Sequence, residues 1–321
     1  MVEAEKPTVA PAPGHRLVVL AIAAGAILLF LAGGAVGLYR YLDSYWLYRG
    51  FPPPRDPAFV KTAGTFQTIH VRSAAIGGRS ERVVAYLPPG YDQSSAQRYP
   101  VFYLLHGFPG DPEGFVRTVR VGVVEDTLLA QHRMRPTILV MPMGSTGIFT
   151  DKEWANGIHR NEGWETFLAR DVVRAIDQRY RTIRSGAARA LGGLSEGGYA
   201  SLNIGLHRPA EFHVLESWSG YEKADDIKSI FGGQTSQLDH NSPLLTLPTV
   251  ASRLRREGAF VWFYSGTMDG LKKQNERFAS ELARLHVQHR FFLTDGGHTW
   301  AVWRGNAWQA MTAASAHLAH G

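Results

Sequence analysis

Hydrophobic and polar positions along this chain fall into two periods, and their order predicts its elements. Residues 17–38 form one apolar run with no charged side chain. As a helix rising 1.5 Å per residue, such a run spans about 30 Å of hydrocarbon. Residues 65–71 and 82–87 alternate with period two, like early antiparallel strands joined by Gly77-Gly78. Residues 101–105 are short and wholly apolar and begin a central sheet. Helix 116–131, strand 137–141 and helix 164–180 follow, then an apolar run 187–191 and a helix-like stretch 199–206. Later come strand 214–218, helix 244–256, strand 259–264, helix 272–286, strand 289–293 and helix 299–318. The alternation predicts one α/β domain with a mostly parallel sheet flanked by helices.

The pattern divides the 321 residues into four stretches. Residues 1–15, with Pro7, Pro11 and Pro13, read as a disordered tail, and 16–39 as a transmembrane anchor. Residues 40–64 read as an aromatic and proline-rich linker, in which Phe51-Pro-Pro-Pro-Arg-Asp-Pro57 is a stiff spacer lifting the domain off the bilayer. Residues 65–321 carry the strand–helix alternation and read as the α/β domain. A cleaved signal peptide is the rival reading of the apolar run, but its hydrophobic part would cover only about 7 to 15 residues. Ala35-Val-Gly37 is also a poor cleavage match, and Tyr39, Tyr41, Tyr45, Trp46 and Tyr48 read as an interfacial belt after a retained span. Lys6 and Arg16 precede the span while Arg40, Arg49 and Arg55 follow it, so charge alone does not orient it.

Composition narrows the chemistry. With no cysteine, thiol catalysis and thiolate metal sites are excluded, and an oxidising compartment is permitted. The net charge of +6 would draw the domain toward anionic lipid or an acidic envelope polymer, yet arginine greatly outnumbers lysine and is scattered, which reads as compositional bias. No motif interleaves aromatic with basic residues in the manner of a nucleic-acid binder, and no cofactor is expected. His286 and His289 have a spacing that suggests metal, but no third ligand accompanies them.

Between the apolar run 187–191 and the helix-like stretch from 199 lies Gly193-Leu194-Ser195-Glu196-Gly197, the pattern of a nucleophile elbow. A strand turns sharply into a helix there, so the positions flanking the serine need residues without side chains. A serine hydroxyl is a poor nucleophile until a histidine takes its proton, and that histidine needs a carboxylate to set its tautomer. Strand 259–264 runs into Ser265-Gly-Thr-Met-Asp269-Gly270, which offers Asp269. Strand 289–293 runs into Thr294-Asp-Gly-Gly-His298, which offers His298. Both residues follow strand ends, where open α/β sheets place their chemistry. The oxyanion of the tetrahedral intermediate needs backbone donors, and the turn His106-Gly107-Phe108-Pro109-Gly110 after strand 101–105 supplies Phe108 N–H beside that of Glu196. His106 is expected to support that turn by packing and hydrogen bonding.

With these pieces in order, the chain resembles the esterase D-like branch of the α/β-hydrolases, which includes esterase D, feruloyl esterases, enterochelin esterases and mycolyltransferases. The resemblance runs from about Phe66 to the C-terminus and rests on five motifs: Tyr86-Leu-Pro-Pro-Gly-Tyr91, Tyr103-Leu-Leu-His-Gly-Phe108, Gly192-Gly-Leu-Ser-Glu-Gly-Gly-Tyr199, Ser217-Trp-Ser-Gly220 and Gly297-His-Thr-Trp300. It implies an α/β-hydrolase fold, Ser195 as nucleophile, His298 as base then acid, Asp269 as orienting acid, and Phe108 and Glu196 as oxyanion donors. With the short N-terminal tail, it also implies a catalytic domain outside the cytoplasm. Relatives usually carry an uncharged residue where this chain has Glu196. That carboxylate either favours a cationic substrate or points into a salt bridge with one of the many arginines, and the salt bridge is the expected outcome.

Residues 142–163 make too long a connection for a compact domain unless they line the site. Asp151, Glu153, Trp154 and Asn156 are its candidate substrate-binding residues, the alternative being a solvated loop with Trp154 tucked beneath. Residues 221–242 are a cap or lid candidate, whose Asp239-His240 pair reads as loop structure. The expected function is a membrane-anchored serine esterase acting through an acyl-enzyme on a small-molecule or lipid ester. Acyl transfer of the mycolyltransferase type and a non-catalytic binding module are the alternatives. The acidic residues suggest an amine-bearing substrate such as an aminoacyl ester of a phospholipid. Oligomeric state is not legible from the sequence.

Overall fold

A computed structural model describes residues 13–93, 96–225 and 227–320; the expected tail lies almost wholly outside them. The chain divides into two units, one ending at Gly50 and one from Phe51 to Gly321. The first is a single helix, α1 (Pro13–Tyr48), of 36 residues. Its stretch Arg16–Leu42 has a mean hydropathy of 2.6, long and apolar enough to cross a membrane. The helix continues through residues 40–48, which the sequence pattern assigned to the linker, because no proline or glycine interrupts it before Gly50.

The second unit is built on eight strands: β1 (Thr65–Ser73), β2 (Arg79–Leu87), β3 (Val101–Leu105), β4 (Ile138–Pro142), β5 (Arg189–Leu194), β6 (Val214–Trp218), β7 (Phe260–Gly266) and β8 (His289–Thr294). They form one sheet in the order β1-β2-β4-β3-β5-β6-β7-β8. The β1–β2 and β2–β4 pairs are antiparallel and the others parallel. This is the mostly parallel α/β-hydrolase architecture the motifs imply.

Successive side chains of a strand point to opposite faces, and the sheet divides its core accordingly. Val83, Ala85, Val101 and Tyr103 join one buried cluster with α5 (Glu196–His207), α8 (Pro243–Glu257) and α9 (Lys272–Arg284), through Leu202, Leu254 and Phe278. Val84, Tyr86, Phe102 and Leu104 join the other, against α2 (Val121–Ala130) and α10 (Trp300–His317). Both faces are covered, which is why the central strands read as continuous apolar runs rather than alternating ones.

Four expectations change in detail. Helix 116–131 is broken at Arg120, whose φ of 59° closes a π turn (Gly114–Val119) before α2 begins. Helix 164–180 is α3 (Trp164–Thr166) and α4 (Val173–Arg179) with a π turn (Phe167–Val172) between them. The proline-rich spacer lies on its own domain: Arg304 sits over the Phe51 ring at 4.5 Å, and Gly64 N–H donates to the Tyr86 hydroxyl at 2.8 Å. Residues 221–242, read as irregular, contain two short helices, α6 (Lys228–Phe231) and α7 (Thr235–His240).

Candidate active site

Ser195 sits between β5 and α5 with φ 56° and ψ −118°, a backbone state that a non-glycine residue adopts only under surrounding constraint. That constraint is visible. Ser195 N–H donates to the Trp218 carbonyl on β6 at 3.0 Å, and Gly198 and Tyr199 N–H donate back to the Ser195 carbonyl at 2.9 and 3.0 Å. A side chain on Gly197 would overlap the Leu105 carbonyl at the end of β3, so only glycine lets the elbow fold this tightly.

The loops after β7 and β8 are zipped to each other, Thr267 N–H to the Thr294 carbonyl at 2.8 Å and Met268 N–H to that of Gly296 at 2.9 Å. The zipping brings Asp269 and His298 together. His298 Nδ1 lies 2.9 Å from Asp269 Oδ2, and His298 Nε2 lies 2.8 Å from Ser195 Oγ. An ionised carboxylate only accepts, so Nδ1 carries the proton and Nε2 is left to accept from the serine hydroxyl. Burial alone would raise the Asp269 carboxyl, but hydrogen bonds from His298 and from Leu271 N–H outweigh it and hold the group below its ordinary value. It is therefore a carboxylate across the neutral range.

The Gly107–Phe108 turn passes against the nucleophile. Phe108 follows the Gly107 that abuts Leu194 and Ser195, and Glu196 is the first residue of α5, where N–H groups have no partner within the helix. His106 is buried, accepts from Gly144 N–H at Nε2 (3.1 Å) and donates from Nδ1 to the Gly107 carbonyl (3.0 Å). Burial lowers its pKa to about 4, so the ring is neutral and supports the turn.

Among the described residues Glu196 makes no salt bridge, contrary to expectation. Its carboxyl is buried and converges with those of Asp151 and Glu153, ligand oxygens lying within 4.8 Å of one another. Burial, then the charges of Glu153 and Asp151, pushes Glu196 well above the usual carboxylate range, and burial and Asp151 raise Glu153 to about 8. Tyr221 donates to Glu153, a partner that no local sequence signal announced. The other candidates from this loop go elsewhere. Trp154 is fully buried, with its indole N–H on the His106 carbonyl at 3.1 Å, so it supports the oxyanion turn and does not reach substrate. Asn156 accepts from Thr166 N–H at the start of the 164–179 helix.

His240 stacks on His207, with ring centroids 4.3 Å apart, and His289 donates to the Val287 carbonyl. Sequence reasoning also passed over Glu222, fully buried, which burial and then the Asp269 charge push well above its ordinary range.

Residues 73–314 match the family described as "Putative esterase". An endo-1,4-beta-xylanase/feruloyl esterase of Xylanibacter ruminicola is 33% identical over 44% of this chain and 20% of its own length. An uncharacterized protein of Corynebacterium glutamicum is 27% identical over 68% of this chain and 53% of its own. The chain thus spans between a fifth and about half the length of these curated relatives. A solved ferulic acid esterase superposes with a TM-score of 0.70 at 23% identity, over 80% of this chain and 100% of that one, a likeness of fold. The chain belongs to the "Putative esterase" family.

Proposed function

We propose that this chain is a membrane-anchored serine esterase whose catalytic domain works outside the cytoplasm on a carboxylic ester of a lipid or cell-envelope component. The observation that carries it is the unbroken relay from Ser195 Oγ through His298 to Asp269. Ser195 Oγ attacks the acyl carbon while His298 Nε2 takes its proton, and Asp269 stabilises the imidazolium that forms. The Phe108 and Glu196 N–H groups hold the oxyanion, whose collapse expels the alcohol with the proton returned from Nε2. Water then repeats both steps, releasing the acid and Ser195.

The His298 side chain is 35% exposed, so the site is open to water, which favours hydrolysis over acyl transfer. The Phe108 side chain, and that of Met268 beside Asp269, are exposed and give the site an apolar rim suited to a lipid or acyl chain. The apolar stretch of α1 supports anchoring. The carboxyls of Asp151, Glu153 and Glu196 support a substrate with an amine in its acyl part, such as an aminoacyl ester, because an ammonium lets buried acids ionise together.

The test is labelling of the detergent-solubilised full chain with a fluorophosphonate probe and location of the adduct by mass spectrometry. An adduct on Ser195, absent in Ser195→Ala and slowed in His298→Ala, is expected. A folded wild type that does not label would overturn the reading.

A further inference from the structure

Away from the catalytic residues, one concavity combines apolar walls with uncompensated positive charge. It is a groove of about 540 Å³ between α2 and α10. Positions 123, 124, 127 and 128 form its α2 wall and 301, 304, 305 and 308 its α10 wall, in each case the single face that such helical spacing produces. Arg120, Arg133 and Arg304 border it and no aspartate or glutamate does. None of the three forms an ion pair among the described residues.

Two of the guanidiniums are held in place without being neutralised, and the third is unpaired at a buried atom. Arg120 Nε is buried and has no hydrogen-bond partner. Arg304 gives one N–H to the Thr118 carbonyl at 2.7 Å and lies over the Phe51 ring. Arg133 lies 4.9 Å over the ring of Trp308, which is itself 42% exposed. Like charges gathered beside an apolar wall are costly unless an anion joins them, and burial and then the charge of Arg120 already hold Arg304 below its usual range. Guanidinium forks match a phosphate's oxygens, and Trp308 with Val123 offers a surface for hydrocarbon. Phe51, at the groove, follows Tyr48, the last residue of α1, by three positions in the chain.

We propose that this groove binds one anionic phospholipid, its phosphate among Arg120, Arg133 and Arg304 and its glycerol and upper acyl chain along the apolar walls. The full chain in a nonionic detergent would be titrated with dihexanoylphosphatidylglycerol below its micellar concentration, and bound lipid counted by native mass spectrometry. Dihexanoylphosphatidylcholine and inorganic phosphate are the comparison ligands. One equivalent of phosphatidylglycerol is expected, bound about tenfold or more tightly than phosphatidylcholine, as expected when charge-assisted bonds are lost. The triple variant Arg120→Gln/Arg133→Gln/Arg304→Gln should weaken it about tenfold or more on the same basis, with Ser195 labelling unchanged.

Should that variant fail to fold, Arg133→Gln alone decides the matter, since Arg133 is exposed; a loss of about threefold is expected and no change would overturn the proposal. Equal binding of both lipids, or displacement of phosphatidylglycerol by inorganic phosphate at equal concentration, would also overturn it, the second assigning the site to a free anion.

Discussion

A Cβ added to Gly107 would stand 3.1 Å from the Cβ of Ser195 and 2.9 Å from the Leu194 carbonyl oxygen, so the turn after β3 rests directly on the Leu194–Ser195 segment. Gly107→Ala must push the turn and the nucleophile apart, displacing Phe108 N–H from the oxyanion. A fall in kcat of about a hundredfold, with KM little changed, is expected, as for loss of one oxyanion donor. Steady-state kinetics on a soluble activated ester would check it. An unchanged kcat would remove Phe108 from the oxyanion site.

Asp269→Asn keeps the size of the side chain but can present an N–H to His298 and so favour the wrong tautomer. On the roles proposed above, kcat should fall about a thousandfold or more while the fold is retained. The rate of fluorophosphonate labelling reads this directly. A drop of less than about tenfold would mean that Asp269 positions His298 without setting its tautomer.

Glu196→Gln leaves the backbone N–H in place and removes one of three converging carboxyls. KM for an aminoacyl ester should rise more than KM for a neutral ester of the same alcohol, by about fivefold or more, a modest charge–charge contribution. Equal changes for the two esters would sink the amine reading and leave the esterase reading intact.

Glu153 titrates near 8 in the folded chain, against 4.5 ordinarily. Between those values the folded state holds more protons than the unfolded one, so stability is fully present below about pH 4.5 and is lost as pH rises through 8. Thermal unfolding at pH 9 should therefore begin at a lower temperature than at pH 6, each kcal/mol lost lowering Tm by about 2–4 °C for a domain of this size. Glu153→Gln should flatten the pH dependence. A slope that persists in that variant would assign it to another group.

The strands and the Ser195, Asp269, His298 set were legible because each depends on short-range pattern: an apolar run of strand length, then a turn that only glycine permits. The break at Arg120 was not, since nothing in the local propensity of residues 116–131 marks a left-handed residue there. Nor was the convergence of Asp151 and Glu153 on Glu196, because two of those residues come from an irregular loop whose path is set by contacts distant in sequence, such as Trp154 against His106 and Ile158 N–H to the Ile230 carbonyl. The arginine groove was hidden for the same reason. Scattered arginines in the sequence become neighbours only when α2 and α10 lie side by side.

The sheet order has a further meaning for how the proposed relay would fail. Ser195 hangs from β5, which is hydrogen-bonded to a strand on each side, whereas His298 follows β8, the outermost strand, held on one side only. Edge elements open locally at lower free energy than central ones. On the roles proposed above, mild heat or denaturant should detach His298 first and abolish activity while Ser195 is still mounted on an intact sheet. Amide exchange faster in β8 than in β5 would be the signature of that order of events.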